Sequence, residues 1–368
     1  MDPRALRAGA LAGLIFLSVQ AGALALVGPF DAAGYQAVED PSDPTNSLVY
    51  LLAILVATGL MLAAFKYDFE NAVRAVVVLS STLLAWYVFS VVVPTAVPAH
   101  DVVAAGLAVA VGAALVVHPE WYVIDAAGVL MGAGAAGLFG ISFGLLPAIV
   151  LLLALAVYDA VSVYGTRHML SLAEGVMDLR IPVVLVVPVD LSYSLLEDDF
   201  SGANEVFEED GADAPSDDAP EVADGGGSSA GGMESAGGME SAGGMESADG
   251  TMEPAGEADG TEASGVERDA FFIGLGDAVM PTVMVASAAF FSPAPSLGVG
   301  VLPALNLPAL CAVVGTTLGL AVLLRAVMRG RAHAGLPLLN GGAVGGYLVG
   351  SVLAGVPLVR AVGLAPYL

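Results

Sequence analysis

The sequence predicts an all-α polytopic membrane protein, and three observations support this fold class. The 368 residues are 57% hydrophobic with a mean hydropathy of +0.82, and only 13% of them are charged. This composition is too apolar for a water-soluble domain of this size. Nine apolar runs approach the length of about 20 helical residues that crosses a hydrocarbon core. The basic residues flank these runs on one predicted side, as they do in membrane proteins.

The nine predicted spans differ in how clearly they are bounded. The first resembles a signal peptide, because Arg4 and Arg7 precede an apolar run that ends in small residues. The run is longer than a signal-peptide core of about 7 to 15 residues, which favours a retained anchor. The fourth is short, and the fifth, rich in Gly and Ala, has the weakest boundary with its neighbour. The spans cover residues 7–27, 46–65, 72–93, 102–118, 122–140, 142–164, 270–292, 299–325 and 335–357.

Basic residues set the predicted orientation, since Lys and Arg near helix ends stay on the cytoplasmic side. A cytoplasmic N-terminus puts all but one of the eleven basic residues inside, and only Arg360 outside with the C-terminus. We therefore expect an integral multi-pass protein with its N-terminus in the cytoplasm and its C-terminus outside. The residues on the cytoplasmic side are Arg4, Arg7, Lys66, Arg74, Arg167, Arg180, Arg268, Arg325, Arg329 and Arg331.

The formal net charge of −26 belongs to one loop, because 23 of the 37 acidic residues lie between Asp190 and Asp269. The predicted organisation is therefore six helices in residues 1–164, a cytoplasmic loop in 165–269 and three helices in 270–368. From about residue 197 the loop is low in complexity and repeats Gly-Gly-Met-Glu-Ser-Ala three times within 231–248. Such a segment cannot bury enough apolar area to offset its ordering entropy, which predicts disorder. Its acidity suits the plasma membrane of a salt-adapted prokaryote, and we expect no nucleic-acid partner.

Two carboxylates inside the apolar runs carry the chemistry. Asp159 lies near the cytoplasmic end of the sixth span, and Asp277 near the cytoplasmic start of the seventh. An ionised Asp at bilayer depth costs about 2.5 to 3.5 kcal/mol on insertion scales, so its presence predicts a function. At 1.5 Å per residue both lie roughly 8 to 10 Å below the same surface. Two adjacent antiparallel helices would bring them together as a pair that shares one proton, the arrangement with which aspartic proteases activate water.

The residues around Asp277 suit an irregular helix start. Gly274 and Gly276 allow close approach of another backbone. Pro281 deletes the helical hydrogen bond to the Asp277 carbonyl, which should loosen the helix there.

These residues resemble a known family. Tyr158-Asp159 in one span, Gly274-Leu275-Gly276-Asp277 in the next and a long loop between them are similar to the presenilin and signal peptide peptidase group of GxGD-type intramembrane aspartyl proteases, in particular its archaeal presenilin-like members. The resemblance covers the sixth to ninth spans. It implies that Asp159 and Asp277 are the catalytic pair and that Tyr158, Gly274 and Gly276 support the active site.

The family's third motif, Pro-Ala-Leu at the start of the ninth span, occurs here in altered form. Literal copies at 303–305 and 308–310 lie near the outer start of the eighth span, away from the carboxylates. The topological match is Ala334-Gly335-Leu336-Pro337, which follows the basic cluster. The resemblance thus assigns Leu336 and Pro337 to the active site.

Other candidate chemistry is weaker. Asp125, near the start of the fifth span, should be an interfacial carboxylate that reaches headgroup water. No metal site or cofactor is expected, since the four histidines fall near span ends without the spacing of metal ligands. They are His100, His118, His168 and His333.

The predicted function is hydrolysis of peptide bonds in transmembrane helices of membrane-protein substrates within the bilayer. The segment 180–190 is β-branched and bounded by prolines, so it is either a strand or a membrane-surface segment. As a strand it would pair with an unwound substrate, and its proposed substrate-binding residues are Val183, Val184, Leu185 and Val186. With span six running inward, the resemblance implies single-span substrates whose N-terminus is outside. A proton-coupled transporter or channel that uses the same carboxylates is the main alternative.

Overall fold

The computed structural model describes residues 3–67, 69–163, 184–188, 193–195, 270–327 and 334–367. These residues all fall within one compact unit made of Met1–Phe207 and Arg268–Leu368. The predictions of disorder in residues 197–269 and of a contact at Val183 lie outside the described residues.

Helices dominate the described chain, and a two-stranded sheet interrupts them between the sixth and seventh. The first six helices are α1 (Pro3–Ala32), α2 (Thr45–Lys66), α3 (Glu70–Val92), α4 (His100–Val117), α5 (Trp121–Ser142) and α6 (Leu145–Val161). The strands are β1 (Val184–Pro188) and β2 (Ala270–Gly274). The remaining helices are α7 (Leu275–Phe291), α8 (Leu307–Val327), α9 (Gly335–Leu353) and α10 (Leu358–Ala361), and a 3₁₀ turn follows at Ala365–Tyr367.

The polytopic prediction is confirmed. Within the described ranges, 7 helices are long and apolar enough to cross a membrane, and α6 and α7 are shorter apolar helices of 17 residues each. At 1.5 Å per residue each of these two spans about 25 Å, less than a full hydrocarbon core. The two helices that carry the candidate carboxylates are therefore shorter than the other apolar helices that could cross a membrane in the described ranges.

Two predicted span boundaries are wrong. The seventh span was expected to start at residue 270, but Ala270–Gly274 is the strand β2 and the helix begins at Leu275. Aromatic and β-branched residues fill this run, and they pair well in a sheet. The eighth span was expected from residue 299, but α8 begins at Leu307. Asn306 caps this start, because its Oδ1 accepts a hydrogen bond from the Ala309 N–H at 2.9 Å.

The strands β1 and β2 pair antiparallel, with Val184 opposite Gly274 and Val186 opposite Phe272. The Val186 N–H donates to Asp125 instead of the ladder, at 2.8 Å, so it points away from β2. Because N–H directions alternate along a strand, the Val184 N–H also points away from β2, and an N–H at position 188 would do the same. Pro188 has no N–H and fits this position, where the ladder needs no donor.

Glycines allow the closest helix contacts. A Cβ at Gly315 would clash with the Gly342 carbonyl and one at Gly346 with the Cys311 carbonyl, so α8 and α9 pack backbone to backbone. Such seams of small residues are typical of helix pairs in membranes. This packing holds α9 against α8, and the Ala334-Gly335-Leu336-Pro337 element stands at the start of α9.

Candidate active site

Asp159 lies in the last turn of α6 and is only 4% exposed. Its Oδ2 accepts a hydrogen bond of 3.0 Å from the Leu336 backbone N–H at the start of α9, and the Gly335 N–H also contacts this carboxylate. The first N–H groups of a helix have no partner within the helix, and they bind anions readily. The backbone N–H groups at the start of α9 therefore hold the Asp159 carboxylate in place.

The sequence of this helix start suits that contact. Ala334 is the N-cap in extended conformation, and Gly335, Leu336 and Pro337 form the first turn. Proline is tolerated there because its missing N–H would have no helical partner. Leu336 thus contributes through its backbone, a role that does not depend on the leucine side chain.

Asp277 lies in the first turn of α7, directly after β2. The predicted seventh span starts at residue 270, seven residues before Asp277. Asp277 is nearer to the helix start than this, because α7 begins at Leu275. A carboxylate in the first turn is favoured by the helix dipole. Pro281 stands inside α7 as predicted, and the Thr282 hydroxyl donates to the Ala278 carbonyl at 2.6 Å. Because proline has no N–H, Pro281 cannot make the usual helical hydrogen bond to the Asp277 carbonyl.

Gly335 and Leu336 bring the two carboxylates to one place. A Cβ at Gly335 would lie 3.5 Å from Asp277 Oδ2, while the next residue donates its N–H to Asp159 Oδ2. Two consecutive residues of α9 thus adjoin the two carboxylates. The geometry places the two carboxylates at the meeting point of α6, α7 and α9, beside the start of α9.

The other predicted site residues lie at different distances from this pair. A Cβ at Gly274 would be 3.5 Å from Asp277 Oδ2, whereas nothing lies within 4 Å of one at Gly276. The Tyr158 side chain is 41% exposed and so lies toward the outside of the helix bundle. Val184, Leu185 and Val186 all belong to β1.

The interfacial position predicted for Asp125 is wrong, and Asn340 is a buried polar residue near the site that the sequence did not single out. Asp125 does not reach headgroup water, because it is 7% exposed and accepts from the Val186 N–H. Asn340 is fully buried one turn after Leu336, and its amide donates to the Leu152 carbonyl of α6 at 3.0 Å. A polar residue within an apolar span was the available signal for both.

The two literal Pro-Ala-Leu copies lie far from the carboxylates, as predicted. Residues 303–305 precede α8 and residues 308–310 form its first turn. A Cβ at Gly350 would be 2.8 Å from the Pro308 Cα. Since Gly350 is 15 residues along α9 from Gly335, this end of α8 is about 22 Å from the site. In the described part of the chain, no group of three or more His, Cys, Asp or Glu residues could hold a metal ion.

Two acids brought together at the ends of apolar helices are what an aspartyl protease acting inside a membrane would need. The family model described as signal-peptide peptidase, presenilin aspartyl protease matches residues 13–216 and 241–356. The chain belongs to this family. It is an intramembrane aspartyl protease and a multi-pass integral membrane protein, with membrane proteins in the bilayer as its substrates.

Solved structures agree with this assignment. One, a presenilin family intramembrane aspartate protease in space group C222, is 29% identical, with 93% of this chain and 97% of that chain covered and a TM-score of 0.56. Another, a presenilin family intramembrane aspartate protease in space group P2, is 30% identical, with 93% and 96% covered and a TM-score of 0.54. No curated protein matches the chain.

Proposed function

We propose that Asp159 and Asp277 form the catalytic dyad with which this protease hydrolyses peptide bonds in transmembrane helices. The observation that carries the proposal is the position of two consecutive residues: the Leu336 N–H donates to Asp159, and Gly335 lies beside Asp277. Tyr158, Gly274, Gly276 and Pro337 surround the dyad in sequence and support its local structure.

The chemistry follows from two acids that share one proton. The ionised carboxylate takes a proton from water while the protonated one donates to the scissile carbonyl oxygen, so the water oxygen bonds to the carbonyl carbon. The amide nitrogen then takes a proton as the C–N bond breaks and the carbonyl forms again. Either aspartate can hold the shared proton at the start, since the pair titrates as a unit.

A helical substrate must unwind first, because every backbone group of a helix in lipid is bonded internally. The sheet beside Asp277 offers main-chain hydrogen bonds to an unwound segment. We assign this role to residues 183–186, of which Val184, Leu185 and Val186 belong to β1, at the edge of this strand that faces away from β2. Asp125 already takes the Val186 N–H on that edge, so the proposed contact centres on Val184.

The Val184→Pro variant tests the strand. Its N–H faces away from β2, so the substitution keeps the ladder and denies this donor to a substrate. We expect slower cleavage at an unchanged melting temperature. Unchanged turnover would exclude the far edge of β1 as the place where the substrate pairs, and would leave β2 as the candidate strand.

The proposed setting follows from the positive-inside rule. A cytoplasmic N-terminus puts the dyad near the cytoplasmic face, the C-terminus outside and α6 running inward. We infer substrates with a single span and an external N-terminus. The acidity of the loop in residues 165–269 supports the plasma membrane of a salt-adapted prokaryote as the location, with that loop separating the six-helix and three-helix parts.

The test of the dyad uses purified protein in liposomes with a generic single-span substrate. Wild type, Asp159→Ala and Asp277→Ala are compared, with folding checked by thermal unfolding. We expect cleavage by wild type and none by either variant. Cleavage that survives either substitution would contradict the dyad, and altered proton flux in the same vesicles without any proteolysis would favour a transporter.

A further inference from the structure

We propose that Asp125 is a positioning residue of this protease, which holds β1 on α5 and thereby sets where β2 delivers Asp277. The inference rests on the proposed function of the dyad. Asp125 touches neither candidate carboxylate, and it acts through the sheet. Two sets of contacts support this, one polar and one steric.

The polar contact is a carboxylate inside the protein that serves a single backbone donor. Asp125 is 7% exposed, and its Oδ1 accepts from the Val186 N–H at 2.8 Å. Its Oδ2 is buried and has no hydrogen-bond partner among the described residues. Burying a carboxylate is costly unless it is hydrogen-bonded, so a carboxylate buried at this position is expected to have a role. Here it satisfies the Val186 N–H, which faces away from the ladder.

The steric contact continues along the same face of α5. A Cβ at Gly128, three residues after Asp125, would lie 2.8 Å from Leu185 Cδ2, so the glycine makes room for β1. A Cβ at Gly132, one turn further, would lie 3.3 Å from Leu275 Cδ1 at the first residue of α7. One seam of α5 thus seats both the strand and the helix start that follows the sheet.

The ladder connects this seam to the candidate site. Val186 pairs with Phe272, and Val184 pairs with Gly274, the N-cap of α7. A Cβ at Gly274 would be 3.5 Å from Asp277 Oδ2. A shift of β1 away from α5 would therefore move Gly274 and change the position of Asp277 relative to Asp159.

A second acid near the start of the same helix provides a matched control. Glu120, the N-cap of α5, accepts from the Leu195 N–H at 3.1 Å and from the Ser194 hydroxyl at 2.7 Å. It anchors the chain after the strand, outside the ladder. Loss of Glu120 should loosen residues 193–195 and leave β1, β2 and Asp277 in place.

The experiment compares Asp125→Ala, Asp125→Asn and Glu120→Ala in the full-length protein. Amide hydrogen exchange is measured across residues 184–188, and kcat, KM and the positions of cleavage are measured with a single-span substrate. We expect Asp125→Ala to speed exchange at Val186, to lower kcat roughly tenfold with little change in KM, and to broaden the cleavage positions. Asp125→Asn keeps an acceptor oxygen and should restore all three readouts, and Glu120→Ala should leave kcat unchanged.

A second variant removes the donor in place of the acceptor. Val186→Pro lacks the N–H, while the ladder to β2 uses the donors of the neighbouring residues. It should match Asp125→Ala, and the double variant should be no worse than either, as expected of two partners in one contact.

Three results would overturn the proposal. They are unchanged exchange at 184–188 in Asp125→Ala, a lower melting temperature with unchanged kcat and cleavage positions, and failure of Asp125→Asn to restore activity. Failure of the dyad itself would be seen separately, as cleavage by Asp159→Ala or Asp277→Ala, and would leave the hydrogen-exchange result intact.

Discussion

Asp159 and Asp277 are held in different ways, although they meet at one site. Asp159 is buried at the end of α6 and receives a backbone hydrogen bond from the start of α9. Asp277 follows a strand, has glycines 274 and 335 as neighbours, and is only partly buried. The position of Asp159 therefore depends on α9, whereas that of Asp277 depends on the sheet and on the α5 seam. Substitutions in α9 and substitutions in the sheet or the α5 seam should therefore have distinguishable effects on kcat and KM.

Among changes to the contacts that hold the two acids, the largest effect is expected from Leu336→Pro. The substitution removes the N–H that binds Asp159, and proline is compatible with a first helical turn. A hydrogen bond to a charged group contributes about 1.5 to 3 kcal/mol, so kcat should fall roughly 10- to 150-fold. Steady-state cleavage of a single-span substrate measures it.

Leu336→Ala is the matched control, because it truncates the side chain and keeps the N–H. It should retain most of the activity of the wild type. Equal losses in the two variants would show that the leucine side chain matters and that the backbone bond to Asp159 does not.

A smaller effect is expected at Gly335, which adjoins Asp277. A methyl group there would make ordinary contacts, 3.5 Å from Asp277 Oδ2 and 3.4 Å from Leu323 Cδ2, so Gly335→Ala should be tolerated. Gly335→Leu overfills the space, which typically costs about 1 to 3 kcal/mol, and should lower kcat by roughly tenfold or more. Wild-type kcat in the leucine variant would contradict the proximity of α9 to Asp277.

The sequence was sufficient to find both carboxylates and the start of α9. Asp159 and Asp277 are costly within apolar runs, and the matching depth of the two runs predicted their meeting. The Ala334-Gly335-Leu336-Pro337 element was found by its place after the eighth span. These inferences rest on local pattern and topology, which a single sequence carries.

The contacts that support the site could not be found in this way. Asp125 and Val186 are 61 residues apart, and no local pattern links a carboxylate on α5 to one N–H of a strand. Ala270–Gly274 was assigned to a span because a short aromatic and apolar run suits a helix or a strand equally well. Asn340 binds Leu152 across 188 residues, so its role depends on how α6 and α9 cross.

Asn340 supports the α6 and α9 pair beyond Leu336, and its loss should act on stability more than on chemistry. Asn340→Ala removes a buried hydrogen bond worth about 1 kcal/mol and leaves a small cavity. We expect a melting temperature lower by a few degrees in detergent, and a decrease in kcat smaller than that of Leu336→Pro. Asn46→Ala, at an exposed hydrogen bond, is the control and should change neither.

The smallest effect is expected from deletion of residues 231–248 in the acidic loop. The three repeats have the composition of a solvated linker, which has no core to contribute. Cleavage rate and melting temperature should match those of the full chain. A large loss of activity would mean that the repeats take part in substrate binding or in the fold.

The central claim is that Asp159 and Asp277 act as one unit, and single-turnover cleavage by four proteins tests it most directly. Wild type, Asp159→Ala, Asp277→Ala and the double variant are compared on the same single-span substrate in liposomes. Residues that act as a unit give losses that do not add, so both single variants should fall to the rate of the double variant. A single variant that cleaves measurably faster than the double variant would contradict the account.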